Sequence, residues 1–224
     1  ADVRDRRCGF PDGAKLAGIR QAIRGGHATP AQRDALKAVL AQANTALTDG
    51  PWSVMDKPSA PPSGDKHDYM SQAPYWWPDP SKADGLPYIR HDGKTNPEIT
   101  KLSDRTNLGR LGGTVSTLGL AHYFSAVRLK PDTTYSDQYA AHAARLVRVW
   151  FIDPATRMNP HLKFGQGIPG ITPGRGIGLI ETRNLVDVLD GIQLIRGSSA
   201  WSPADEAALQ AWMRAFLTWM IESP

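Results

Sequence analysis

The chain has 224 residues, of which 41% are hydrophobic and 21% charged, with a formal net charge of +4. That balance is neither fibrous nor disordered and suffices for a sizeable core, while the lack of any run of about eighteen apolar residues excludes a membrane-spanning helix. A single cysteine, Cys8, excludes an intramolecular disulfide and a multi-thiolate metal site.

The start, "ADVRDRRCGF", lacks the apolar centre of a signal peptide. "DGAKLAGIRQAIRGG" then reads as a first helix. "TPAQRDALKAVLAQANTAL" opens with Thr29 as N-cap and Pro30 at the first helical position, and it places Leu36, Val39, Leu40, Ala43 and Leu47 on one face. "KLSDRTNLGRLGGTVSTLGLAHYFSAV" reads as a helix from near Ser103, with Leu108, Leu111, Val115, Leu118 and Tyr123 inward. Its glycines Gly109, Gly112, Gly113 and Gly119 weaken intrinsic helicity by roughly 1 kcal/mol each relative to Ala. Tertiary packing must hold that helix, and close approach of a neighbouring helix is the simplest reason for the glycines.

"SDQYAAHAARLVRVWFID" is predicted to run from a Ser136 cap to Asp153 and to stop at Pro154. "IGLIETRNLVDVLDGIQLIRG" carries Leu179, Leu185, Val188, Leu189, Ile192 and Ile195 and ends at Gly197. "SPADEAALQAWMRAFLTWMIES" opens on Ser202, Pro203, Asp205 and Glu206, a strong helix start. No segment alternates with period two over a useful length, so the fold class is all-α. Short connections such as "LIRGSSAWSP" suggest antiparallel neighbours, hence helical hairpins in a bundle or toroid with long ordered loops on one face.

Two connections are long: residues 154–176, and the roughly fifty residues before Ser103. Loops of this length within a compact domain are functional or disordered. The first contains Trp52, Tyr69, Tyr75, Trp76, Trp77 and Tyr88, which favours order. In "KHDYMSQAPYWWPDP", Pro74, Pro78 and Pro80 hold the chain extended while the aromatics offer rigid apolar faces with polar tips. Such faces suit the C–H side of a pyranose ring. The alternative is that the rings plug the helical core. Adjacent tryptophans in extended chain point to opposite sides, so one buried and one lining a groove is expected.

Charge is unevenly placed: residues 82–183 hold 14 Lys and Arg against 8 Asp and Glu. A basic middle suits a polyanionic ligand, for which nucleic acid and acidic polysaccharide are the two large classes. The long loops add polar residues, among them Lys66, His67, Arg90, Arg105, His161, Lys163, Gln166, Arg175, Glu181, Arg183 and Asn184. No helix carries the dense cationic stripe that phosphate contacts demand, which argues against nucleic acid. The six histidines show no metal-ligand spacing, "GQGIPGITPGRG" follows no strand, and signatures of serine or cysteine nucleophiles are absent.

"DYMSQAPYWWPDP", "GLPYIRHDGKTNPE", "SDRTNLGRL", "WFIDPATRMNPHLKFGQGIPG" and "GRGIGLIETRNL" resemble successive blocks of the alginate-lyase-like polysaccharide lyases. The resemblance runs from about Pro51 to the C-terminus. It implies an (α/α) toroid, one domain over residues 1–224 that forms its N-terminal part as an incomplete helical barrel. It also implies a groove for a polyuronate such as alginate or glucuronan, and β-elimination leaving an unsaturated uronate end. The protein would be periplasmic or secreted, neither membrane-bound nor a nucleic-acid binder. No metal or other cofactor is required in principle. On matched positions, the resemblance assigns Tyr69, Tyr75, Trp76 and Trp77 to stacking, Lys66 and Arg90 to carboxylates, and Gln166, Glu181, Arg183 and Asn184 to the groove wall; Tyr69 is also a candidate acid or base.

The family's catalytic His follows a helix ending like "WMIESP" in an Asn-Asn-His block, and none of the five asparagines here is followed by Asn or His. The resemblance therefore implies that the main catalytic block lies beyond Pro224, and the alternative reading is a noncatalytic domain that binds acidic polysaccharide. An open half ring would leave Leu209, Trp212, Phe216, Leu217 and Met220 partly uncovered, so self-association through that edge is expected.

Overall fold

The computed structural model describes residues 13–125 and 133–223. Its α-helices are α1 (Gly13–Arg24), α2 (Pro30–Ala46), α3 (Asp104–Ser125), α4 (Thr133–Val147), α5 (Leu185–Ile195) and α6 (Pro203–Glu222). The strands are β1 (Met70–Gln72), β2 (Trp76–Trp77), β3 (Ile89–Arg90) and β4 (Phe164–Gly167). None exceeds four residues, so the all-α class stands with small strand pairs in the loops.

The predicted helix starts have local causes. Thr29 accepts from the backbone N–H of Gln32 at 3.2 Å, and the Gln32 side chain accepts from that of Thr29 at 2.9 Å. Ser202 and Asp205 repeat the exchange at 3.1 and 2.9 Å ahead of α6. Each pair satisfies N–H groups that a helix cannot satisfy itself, a stabilisation of about 1 kcal/mol. Ser136 differs from its predicted role. α4 begins at Thr133, and Ser136 is buried within it, its Oγ 3.0 Å from His122 Nδ1. A tertiary partner took the hydroxyl that the cap would have used. The helix continues into a π turn, Arg148–Ile152, just ahead of Pro154. The last two residues of the predicted second long helix, Ala126 and Val127, lie outside the described residues.

The single helix expected over 177–197 is two pieces: 3-10 turns at Gly176–Asn184, then α5. Gly178 lies against the Gly165 backbone, where a Cβ would sit 3.1 Å away, so this stretch follows β4 rather than an ideal helical path. Leu179 and Leu189, expected inside, are 39% and 44% exposed. The chain end of α5 is as expected, with Gly197 at φ 87°.

By contacts the chain, read as one domain above, divides into two compact units. The first is Ala1–Pro51, Arg110–Val147 and Asn184–Glu206. Leu111, Val115, Leu118, Ala143, Leu146, Val188, Ile192 and Ile195 form its core. Here α3 and α5 meet backbone to backbone. A Cβ on Gly119 would lie 2.6 Å from the Gly191 carbonyl oxygen, and one on Gly191 would lie 2.5 Å from that of Val115. Gly112 is pressed against the Asn184 carbonyl in the same way, at 2.8 Å. The glycine-rich stretch of α3 thus trades intrinsic helicity for close helix packing. Tyr139 donates to Asn44 on α2, and the Arg20 guanidinium of α1 lies 4.3 Å above the Tyr123 ring.

The second unit is Trp52–Gly109, Arg148–Arg183 and Ala207–Pro224. Its core joins Val54, Tyr69, Leu108, Trp150, Phe151, Met158, Leu209, Trp212 and Phe216. Trp212 is edge-on to Phe151 at 4.7 Å, stacks on Phe216 at 5.3 Å, and donates its indole N–H to the Met158 carbonyl. Leu209, Trp212 and Phe216, expected on an open edge, are buried. Leu217 and Met220 are 51% and 37% exposed.

Candidate functional site

The second unit gathers the loop residues singled out by the sequence. β1 and β4 run parallel, with Met70 opposite Phe164 and Gln72 opposite Gly167, and the register slips between them. Alternation along β1 puts Tyr69 and Ser71 on one side. Both reach Glu181 of the 3-10 segment: its Oε2 accepts from the Tyr69 hydroxyl at 2.7 Å and from Ser71 Oγ at 2.6 Å. Ser71 Oγ in turn accepts from the backbone N–H of Gln166 on β4, at 2.8 Å. Gln166 is the only non-glycine with positive φ among the described residues, at 50°. Arg175 holds it there, donating through Nε to its carbonyl at 3.0 Å and through Nη2 to its Oε1 at 2.8 Å. Three distant stretches of chain are thereby tied around one buried carboxylate.

Tyr69 needs a correction. It is fully buried, so no ring face is offered to a sugar, and burial followed by the Glu181 charge pushes its hydroxyl pKa well above the ordinary value. It is a proton-holding donor that fixes Glu181. Tyr69→Phe is expected to lower the unfolding free energy by about 1–3 kcal/mol, because Glu181 Oε2 loses a donor inside the protein. Urea titration reads this directly; an unmoved midpoint would show that Glu181 does not depend on Tyr69.

The tryptophans also differ from expectation. Trp76 pairs with Arg90 and Trp77 with Ile89 in the β2–β3 ribbon, and both rings are half-buried rather than one in and one out. A two-stranded ribbon has no full layer behind either face. Trp77 donates to the Lys94 carbonyl at 2.9 Å and lies edge-on to His91, with ring centroids 6.3 Å apart. Tyr75 is 40% exposed. Arg90 extends into solvent beside Asp92, at 2.9 Å, yet lies near enough to Arg175 to lower the latter's pKa, an effect second to burial and opposed by Glu181. Lys66 is half-buried and Arg183 exposed. Asn184 belongs to the first unit, its carbonyl against Gly112.

Two polar clusters support this frame. Lys57 and Asp104 form a fully buried ion pair at 2.9 Å; Lys57 also donates to the carbonyls of Val54 and Lys66, and Asp104 accepts from the Met70 N–H. Burial pushes the Asp104 carboxyl up to about 6, against the opposing pull of Lys57, and burial lowers the Lys57 pKa, with Asp104 opposing. Asp68, buried, takes Ser63 Oγ at 2.7 Å, Asn159 Nδ2 at 2.6 Å and His161 Nε2 at 3.0 Å. Burial holds the His161 pKa below its usual value, with Asp68 opposing. Nothing in local sequence pattern marks Lys57, Ser71 or Asp68, since their partners lie far along the chain or in an unpatterned loop.

An open pocket of about 440 Å³ lies beside β1, lined by Ser71, Gln72, Leu102 and the 167–173 loop. Another of about 480 Å³ carries His161, Lys163, Trp219 and Glu222. Among the described residues, no group of three or more His, Cys, Asp or Glu is placed to hold a metal ion, and no helix is long and apolar enough to cross a membrane. The unit thus holds half-buried aromatic rings in its β2–β3 ribbon, and the Arg105 and Arg175 guanidinium groups beside the buried Glu181, residue types that suit an anionic, ring-bearing ligand.

Comparison with known proteins gives a family and a structure. The model of the family described as alginate lyase matches residues 53–224. The crystal structure of an alginate lyase from Bacteroides ovatus matches with a TM-score of 0.84 and 44% sequence identity, covering 94% of this chain and 52% of that one. This chain therefore spans about half the length of that relative. No curated protein matches.

Proposed function

Since the chain belongs to the alginate lyase family, we propose that it is part of a polysaccharide lyase that cleaves a polyuronate, such as alginate or glucuronan, by β-elimination. The match to a solved alginate lyase at 44% identity carries the reading. In this reaction a base removes the C5 proton, electrons move into the C4–C5 bond, and the C4–O bond breaks with its oxygen taking up a proton. The product bears an unsaturated uronate at its new non-reducing end. The C5 proton is weakly acidic because the neighbouring carboxylate is already anionic, and positive charge or hydrogen bonds on that carboxylate stabilise the enolate-like transition state.

The guanidinium groups of Arg90, Arg105 and Arg175 supply such charge, and Tyr75, Trp76 and Trp77 supply ring faces. Lys66 and Arg183 add cations at the periphery, and Gln166 and Glu181 form the wall that holds them. The working place of such an enzyme is the periplasm or the medium, where its polymeric substrate is found. Self-association through the exposed Leu217, Met220 and Ile221 of α6 belongs to the same reading; sedimentation should show a dimer that Leu217→Lys dissolves.

The test is a lyase assay on polymannuronate, polyguluronate and glucuronan, following the ultraviolet absorbance of the unsaturated product, with this chain and the full-length protein side by side. Product from the full-length protein is expected. Silence from both, with acidic oligosaccharide still bound, would replace the lyase by a noncatalytic binding domain.

A further inference from the structure

A ladder of aromatic rings runs through the second unit and comes out near the end of α6. Phe151 meets Trp212 edge-on, Trp212 stacks on Phe216, Phe216 lies 5.6 Å from Trp219, and Trp219 lies 6.2 Å from His161. Trp219 differs from the rings before it. Trp212 is buried and spends its indole N–H on the Met158 carbonyl, whereas Trp219 is half-buried and its indole N–H is neither bonded among the described residues nor shut away from solvent. Phe216 holds the Trp219 ring from behind, so a ligand that stacks on it orders little further side chain.

Trp219 lines the pocket of about 480 Å³, a volume within the roughly 300–1,000 Å³ of small-ligand sites. Two stretches of chain supply its polar groups. The first brings Lys163, which is exposed and whose ammonium enters no ion pair or hydrogen bond among the described residues. Lys163 is seated beside His161, whose Nδ1 lies 3.5 Å from the Lys163 backbone nitrogen and whose Nε2 is held by Asp68 at 3.0 Å. The second stretch is the last turns of α6, which bring the exposed Thr218 hydroxyl and Glu222 carboxylate. A bare anion is drawn to Lys163 and repelled by Glu222. A ligand that carries both a carboxylate and hydroxyl groups suits both stretches, because its hydroxyls donate to the oxygens of α6 while its carboxylate faces the ammonium.

We propose that this pocket binds a uronate residue of the polysaccharide, with the sugar ring on Trp219 and the carboxylate at Lys163. This rests on the polyuronate reading and adds to it a sugar site that shares no residue with the Glu181 cluster. Trp219 gives the C–H face of the ring an apolar surface and its free N–H a hydroxyl to meet, and Lys163 supplies a cation that the protein itself leaves unpaired.

Calorimetry on the full-length protein, with a uronate oligosaccharide and its carboxyl-reduced counterpart, reads the two contacts separately. Lys163→Gln should weaken the acidic ligand about three- to tenfold, the range for an exposed, charge-assisted contact, and leave the reduced ligand unchanged. Trp219→Leu, which keeps an apolar side chain against Phe216, should weaken both ligands by up to about tenfold through loss of the ring face. Lys163→Gln breaks no side-chain bond of the folded protein, so it decides the matter even where Trp219→Leu loosens the fold. Unchanged affinity of Lys163→Gln for the acidic ligand, or an equal loss for both ligands, overturns the proposal. The lyase assay is read apart from this. A parent that cleaves polyuronate while its binding ignores Lys163 sinks the pocket alone, and an inactive parent whose acidic ligand still depends on Lys163 sinks the enzyme reading alone.

Discussion

Lys57→Met should remove about 3–5 kcal/mol of stability, the range for stripping one partner from a buried ion pair. Lys57 and Asp104 are both fully shielded from water, and the Lys57 ammonium also serves the carbonyls of Val54 and Lys66. Without it, Asp104 is a buried charge that has lost its cation and keeps only the Met70 N–H as a donor. Neutralising both partners, as Lys57→Met with Asp104→Asn, should recover a large part of the loss, because the remaining amide can still accept from the Met70 N–H. Chemical denaturation of the single and double variants measures this; a single variant within about 1 kcal/mol of the parent would show the pair to be energetically idle.

The same pair sets a pH dependence whose sign follows from the Asp104 carboxyl. Its value in the folded protein, about 6, lies above the ordinary 3.8, so between these values the folded state binds more protons than the unfolded one. Its contribution to stability is therefore fully present below 3.8 and is lost as pH rises through about 6. Removing Lys57 removes the attraction that lowers this value, so the window moves upward. The gap between Lys57→Met and the parent should narrow at about pH 5 relative to about pH 8. A gap that widens on acidification would contradict the assignment.

Two glycines six residues apart in α3 should respond with opposite signs. Gly119→Ala places a methyl 2.6 Å from the Gly191 carbonyl oxygen, backbone against backbone, with no flexible side chain to give way. Forcing the helices apart should cost about 3 kcal/mol, at the upper end of ordinary overpacking. Gly113, exposed and with nothing within 4 Å of an added Cβ, has no such neighbour. Gly113→Ala should instead stabilise by up to about 1 kcal/mol through helix propensity. Thermal unfolding of both variants is the comparison to make; destabilisation by both would mean that the α3–α5 contact is not what selects glycine.

Local signals explain which elements were legible. The caps at Thr29 and Ser202 use side chains within three residues of their targets, so residue type and spacing suffice. The apolar faces of α2 and α3 follow from a 3.6-residue period, and the glycine-rich surface of α3 foretold the close neighbour, though not which one. Ser136 shows the limit: a good capping residue whose hydroxyl is engaged by His122, fourteen residues away.

The candidate site was legible in its inventory and illegible in its wiring. Aromatic, proline-spaced loops and a basic middle pointed to a polyanionic, ring-bearing ligand, because those properties are carried by single residues, and the family resemblance narrowed it to an acidic sugar chain. Whether Tyr69 stacks on a ligand or holds Glu181 depends on which side of β1 faces the 3-10 segment, a fact created only when β1 pairs with β4. The roles of Lys57, Ser71 and Asp104 likewise arise from long-range contacts that sequence spacing cannot encode. Sequence by itself determined the helical class, the capped helix starts at Thr29 and Ser202 and the residue types available for binding, since these rest on local backbone physics and composition. Tertiary structure alone decided which polar groups are buried, because burial is a property of neighbours brought together from distant parts of the chain.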